Sequence, residues 1–286
     1  MSPAVIDRAR RGLLAGAGLG AFRWAAAAPA GRRLVCLSGA ITEVAYALGA
    51  GPDLVGTDTT STYPEAALKT PKVGYLRQLS AEGLLSLRPD RVLGTTEAGP
   101  ATVLAQLREA GVLVELVQAD HSWDEVRRKV ELVGRASGRE DQARALWTRL
   151  QAQWSTVQQE VARAQGQPRA LFILSHGGAP QVAGRGTAAD AVLRLAGARN
   201  VMDQFEGYRP LTAEAMASAA PEVLVTTTQG LEAQGGGPRF WQRPELALTP
   251  AARRQALVTL EASHLLGFGP RLPEAIAELA RGLRSA

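Results

Sequence analysis

Leu79-Ser80-Ala81-Glu82, six residues, then Pro89-Asp90-Arg91-Val92-Leu93 aligns without a gap to Leu211-Thr212-Ala213-Glu214, six residues, then Pro221-Glu222-Val223-Leu224-Val225. In each copy a Ser or Thr stands where a helix N-cap belongs, a carboxylate sits in the first turn, and a short apolar run follows a proline. Each copy therefore reads as a capped helix leading into a strand. Just ahead of the copies stand Gly74-Tyr75-Leu76-Arg77 and Gly207-Tyr208-Arg209. A unit that recurs in this way predicts two similar lobes, with a tyrosine and an arginine at corresponding edges.

Outward from the first copy, strands and helices alternate. Leu34 to Leu37 is an apolar run, and Ile41, Val44, Ala45 and Leu48 recur at helical spacing until Gly49. Strands follow at Leu54-Val55-Gly56, Arg91 to Gly94 and Val112 to Leu116, with a helix from about Pro100 to Ala110 and a long Thr/Ser/Tyr-rich loop from Thr57 to Pro64. After Ser122 the pattern changes to two helical segments, Trp123 to Ala136 and Arg139 to about Gln165. The second carries Ala143, Leu146, Trp147, Leu150, Trp154, Val157 and Val161 at spacings of three and four. Such a segment makes a rod of about 39 Å, the natural connector of two lobes. Beyond Pro168 the alternation resumes, with strands at Ala170 to Leu174, Val223 to Thr227 and Ala256 to Leu260, and helices at Ala188 to Ala196, Thr212 to Ala219 and Arg271 to Leu283. The stretches through Tyr208 and around Gly235-Gly236-Gly237 read as loops.

The predicted fold class is α/β: two Rossmann-like lobes with mostly parallel sheets, joined by a single long connector helix. The boundaries are an N-terminal lobe over 33–138, the connector over 139–166 and a C-terminal lobe over 168–286. Ligands of such sheets bind outside the carboxyl ends of the strands, so the tyrosine loops are expected to face a cleft between the lobes.

Residues 1–30 read as an export signal. Arg10-Arg11 heads a Gly/Ala-rich apolar run, and Ala28 and Ala30 supply the small-x-small pattern of a cleavage site; the paired arginines fit a twin-arginine signal as well as an ordinary secretory one. The net charge of +5 is concentrated there, and beyond Ala30 the chain holds 28 basic and 26 acidic residues, a net of +2. That near-neutrality excludes the electrostatic footprint of a nucleic-acid-binding protein. One cysteine, Cys36, permits no internal disulfide and no cysteine metal cluster, and its place in Arg33-Leu34-Val35-Cys36-Leu37 predicts a buried strand residue.

The Gly74-Tyr75-x-Arg77-x-Leu79-Ser80-Ala81-Glu82 segment, Ser175-His176-Gly177-Gly178 with Ala183-Gly184-Arg185-Gly186, and Leu266-Gly267-Phe268-Gly269-Pro270-Arg271 together resemble the periplasmic haem-binding proteins of bacterial haem ABC importers. The resemblance covers residues 33 to 286. It implies a non-catalytic periplasmic receptor for ferric b-type haem, a monomer that is not membrane-spanning once mature. Its partner would be the permease and ATPase complex at the inner membrane. By the same resemblance Tyr75 is the haem-iron ligand and Arg77 its support, Tyr208 and Arg209 contact haem, and His176 is a second candidate ligand. Glu82 and Glu214 are then the lobe-tip carboxylates that meet permease arginines.

The residue chemistry is compatible but leaves alternatives open. A phenolate is a hard donor suited to ferric iron, and with an ordinary pKa near 10 it needs the metal and a cation to stay ionised at neutral pH. In an extended loop Tyr75 and Arg77 would point to one side. Spacing alone also fits a packing tyrosine, a His176 that bonds only backbone, and glutamates placed for the helix dipole. His121 and His264 read as surface or interlobe residues. A siderophore or cobalamin-type chelate receptor of the same fold is the first alternative function. A secreted α/β enzyme is the second, although the chain has no Gly-x-Ser-x-Gly elbow, Walker loop or His-Glu-x-x-His pair.

Overall fold

The computed structural model describes residues 32–175 and 178–286. The expected export signal and His176 lie outside the described residues. The first sheet is built by β1 (Leu34–Leu37), β2 (Leu54–Thr57), β3 (Arg91–Thr95) and β4 (Leu113–Val117), interleaved with α1 (Gly39–Ala47), α2 (Ala81–Ser86) and α3 (Ala101–Glu109). All its strands run parallel in the order β2-β1-β3-β4. Helices α4 (Trp123–Ser137) and α5 (Glu140–Arg163) then lead to the second half. That half contains β5 (Arg169–Leu174), β6 (Gln181–Ala183), α6 (Ala188–Leu195), β7 (Arg199–Asn200), β8 (Tyr208–Pro210), α7 (Ala213–Ala219) and β9 (Val223–Thr227). It closes with α8 (Thr228–Ala233), α9 (Gly236–Trp241), α10 (Pro250–Arg254), β10 (Leu257–Leu260), α11 (Ala262–Leu266) and α12 (Leu272–Ser285).

The parallel part of the second sheet, β7-β5-β9-β10, has the strand order of the first. The repeat extends to single hydrogen bonds. Asp90, before β3, accepts from the Arg33 amide at 2.9 Å, and Glu222, before β9, accepts from the Arg169 amide at 3.1 Å. Ser80 caps α2 through the Gly83 amide at 3.4 Å, and Thr212 caps α7 through the Ala215 amide at 3.2 Å. Leu79 and Leu84 are buried around the first cap, Leu211 and Met216 around the second, so both helices are entered through a hydrophobic staple.

Two stretches expected as loops are ordered elements. The second sheet is mixed, because β6 and β8 add antiparallel to the β5 edge; Tyr208 and Arg209 accordingly lie on an edge strand, not a loop. The Gly235-Gly236-Gly237 region is largely helical, with Gly235 and Gly236 at φ 87° and 81° in the left-handed range that glycine tolerates.

The connector α5 spans 24 residues, about 36 Å. Ala143, Leu146, Leu150, Trp154 and Val157 form its buried stripe. Trp123 of α4 stacks against Trp147 and Trp154 at 5.1 and 4.8 Å. One hydrophobic core runs from Leu34, Ile41 and Val44 through this stripe to Phe172, Leu224 and Leu279. The two halves therefore share a core at the connector. Among the described residues no helix is long and apolar enough to cross a membrane.

Candidate ligand-binding site

The loop after β2 is tightly cross-linked. Asp58 is fully buried and accepts from the Thr60 amide and hydroxyl and from the Ser61 hydroxyl. The Lys72 ammonium donates to the Thr57 hydroxyl and to the Ser61 and Ala67 carbonyls at 2.9, 2.6 and 3.1 Å. Gly74, at φ 96°, turns the chain where a side chain would be strained. Tyr75 then opens a turn closed by the Gln78 amide on the Tyr75 carbonyl at 2.8 Å. Tyr75 and Arg77 are thus neighbours on a turn and not alternate residues of an extended strand, because Leu76 is drawn inward, its carbonyl bonded to the Gly99 amide at 2.9 Å. Tyr75 is 39% exposed.

Arg77 pairs with Glu97, which follows the carboxyl end of β3. Burial works against the Arg77 charge, but Glu97 and then the Tyr75 and Tyr208 oxygens more than offset it and hold the guanidinium above its ordinary value. Tyr208 thus lies within electrostatic reach of Arg77 from the other lobe. Gly207, at φ 76°, precedes Tyr208 as Gly74 precedes Tyr75. Burial pushes the Tyr208 phenol upward, against the Thr187 hydroxyl and the Arg77 charge. Tyr208 is held as a neutral phenol, whereas Tyr75 is open to solvent beside a fixed cation. Arg209 is exposed and lies over the Phe205 ring at 4.5 Å.

The structure brings Tyr75, Arg77 and Tyr208 to one place, with Arg209 next to Tyr208 in sequence. Glu82 and Glu214 are exposed in the first turns of α2 and α7. Cavities of about 480 and 470 Å³ flank α6 and α7, and neither reaches Tyr75 or Arg77. Among the described residues no group of three or more His, Cys, Asp or Glu could hold a metal ion.

The lobes are also clasped by residues to which the sequence assigned no role. Glu43 of α1 accepts twice from Arg271, at 2.6 and 2.9 Å, and Arg271 lies over the Tyr63 ring at 3.9 Å. Burial raises the Glu43 carboxyl even against that cation. Lys129 of α4, buried with Glu125 at 2.6 Å, donates to the Gly267 and Phe268 carbonyls at 3.1 and 3.0 Å. Burial lowers its ammonium, opposed first by Glu125 and then by Glu97 and Glu43. His121 packs on Phe268 with ring centroids 5.4 Å apart, which places it between the lobes. Gly269 approaches α1 so closely that a Cβ would lie 3.2 Å from that of Ala40. The signal for Lys129 was available: with Glu125 it falls at i and i+4 on the apolar face of α4.

The periplasmic binding protein family matches residues 34–263 of this fold. The chain belongs to this family. The periplasmic binding protein fold explains the paired sheets and the single connector. The chain shares 47% sequence identity and a TM-score of 0.85 with the structure of the periplasmic heme-binding protein BhuT in complex with two hemes, over 89% of this chain and 98% of that one. It is 28% identical to the uncharacterized ABC transporter substrate-binding lipoprotein YvrC of Bacillus subtilis (strain 168), over 88% of this chain and 80% of the relative. It is 26% identical to a vitamin B12-binding protein of Yersinia pestis (strain Pestoides F), over 88% and 91%. As a periplasmic binding protein it carries a ligand for transport, and the secreted-enzyme alternative is set aside.

Proposed function

We propose that this periplasmic binding protein captures ferric haem between its lobes and delivers it to an ABC permease. The carrying observation is that Arg77 lies within electrostatic reach of both the solvent-open Tyr75 and the neutral phenol of Tyr208, on a fold 47% identical to a haem-binding protein. The Tyr75 phenolate would ligate the iron, and Arg77 would hold the phenolate ionised or bond a haem propionate. Tyr208 would line the opposite side of the porphyrin; Arg209, the next residue of the edge strand, lies over Phe205 on the other face and would have to swing round to reach the haem. The iron arrives already chelated by the porphyrin, so one axial oxygen is all that the protein must supply.

Glu82 and Glu214, exposed on capped helices of equivalent position, are the proposed docking carboxylates for the permease. Kinship with an ABC substrate-binding lipoprotein supports that partner. A periplasmic location, reached by removal of the first 30 residues, and His176 as a further iron ligand belong to the same proposal. So does the division into lobes over 33–138 and 168–286 with a connector over 139–166.

A cobalamin-type cargo is favoured only by the 26% identical vitamin B12-binding relative. Its metal needs no phenolate, and Tyr75 would then be idle. The test is to incubate the mature protein with equimolar ferric haem and cyanocobalamin and remove free ligand by gel filtration. Co-elution of haem alone is expected; co-elution of the cobalamin in its place overturns the proposal.

A further inference from the structure

Arg77 stands at the centre of the proposed site, and among the described residues Glu97 is the one side chain bonded to it, through a single N–H to oxygen contact. The two side chains are 55% and 37% exposed. The Glu43–Arg271 pair of the same molecule makes two bonds, with side chains only 5% and 20% exposed. Pairs of the second kind fix structure, whereas exposed single-contact pairs contribute little and exchange readily. Glu97 also survives losing its partner: it remains in contact with water and in the field of the buried Lys129 ammonium.

We propose that Glu97 is an intramolecular competitor that occupies Arg77 in the ligand-free protein and yields it to a carboxylate of the incoming ligand. The charges of Arg77 and Glu97 cancel, so the empty site offers little to small anions. A ligand held at Tyr75 through its metal presents its own carboxylate at high effective concentration, and only such a two-point ligand displaces Glu97. The site thereby selects chelates that bear carboxylates, and recapture of Arg77 by Glu97 assists release. This inference rests on the haem reading and names what that reading leaves out, the group that Arg77 must leave.

Wild type and Glu97→Gln are titrated with ferric protoporphyrin IX and with its dimethyl ester, delivered from dilute detergent. The ester keeps iron and ring but has no carboxylates. Glu97→Gln is expected to bind the free acid about three- to tenfold more tightly, mainly through slower dissociation, and the ester with wild-type affinity. Glu97→Ala should repeat the pattern, which separates the lost charge from any local effect of the amide. Free-acid binding that is unchanged in both variants, or weaker binding of both porphyrins, overturns the inference and leaves Glu97 as a support for Arg77. If wild type binds neither porphyrin, the haem reading fails and takes the inference with it; binding by wild type without a gain in the variants removes the inference alone.

Discussion

Two tyrosines meet at the site and their surroundings separate them. Tyr208 is partly buried and held neutral, while Tyr75 stands at the surface beside Arg77. Neutral Tyr208 suits ring contact or hydrogen bonding, and Tyr75 is the phenol open to an incoming ligand. Cys36 shows the same effect in the core. Burial first, and the Asp58 charge second, push its thiol up to about 12 from 9.0. An unfolded chain loses that proton near pH 9 while the native state keeps it. Stability therefore falls as pH rises from about 9 to about 12, and Cys36→Ala should make that loss shallower in denaturant titrations. An equal slope in the variant would refute this. The buried strand position of Cys36 was readable from local sequence, as was the nearness of Tyr75 to Arg77. Glu97 was not, because Thr95-Thr96-Glu97-Ala98 carries no pattern and its partner lies 20 residues away.

At the scale of elements, the sequence pattern recovers whatever is long enough to show a period or is marked by a cap. The repeated Leu-Ser/Thr-Ala-Glu unit announced α2 and α7, and both are capped as read. Strands β6, β7 and β8 have three, two and three residues, too few to show alternation, so the antiparallel edge was missed. The loop after β2 was read only as polar; Asp58 ties it locally to Thr60 and Ser61, and Lys72 reaches back along the chain to Thr57 and to the Ser61 and Ala67 carbonyls. Glu82 and Glu214 are carried by these helices, whereas Tyr75 lies on the turn before α2 and Tyr208 on β8, so docking and cargo binding should separate. In a reconstituted transporter, Glu82→Ala and Glu214→Ala should each weaken docking by about tenfold, the worth of a charge-assisted hydrogen bond. Haem affinity should stay at the wild-type value. A parallel loss of haem affinity would contradict the division.

At the scale of the molecule, the connector and the buried clasp govern how far the lobes can move. Lys129, Glu125, Glu43 and Arg271 tie the lobes together, and the shared core runs along α5. Breaking one member of a buried pair costs about 3–5 kcal/mol. Lys129→Met should lower stability by about that much in chemical denaturation, since Glu125 is left without its cation; a loss below about 1 kcal/mol would show that the clasp carries little. Two lobes and a connector were readable because repeat and rod are sequence features. The clasp depends on residues more than a hundred positions apart, Lys129 and Phe268 among them, and only the fold brings them together. The most direct measurement is a titration of the mature protein with ferric haem, followed by visible absorption, in wild type, Tyr75→Phe and Tyr208→Phe. Wild type and Tyr208→Phe should saturate with a high-spin tyrosinate charge-transfer band, and Tyr75→Phe should lack it. A band that persists in Tyr75→Phe, or no saturable binding by wild type at micromolar haem, would contradict Tyr75 as the iron ligand.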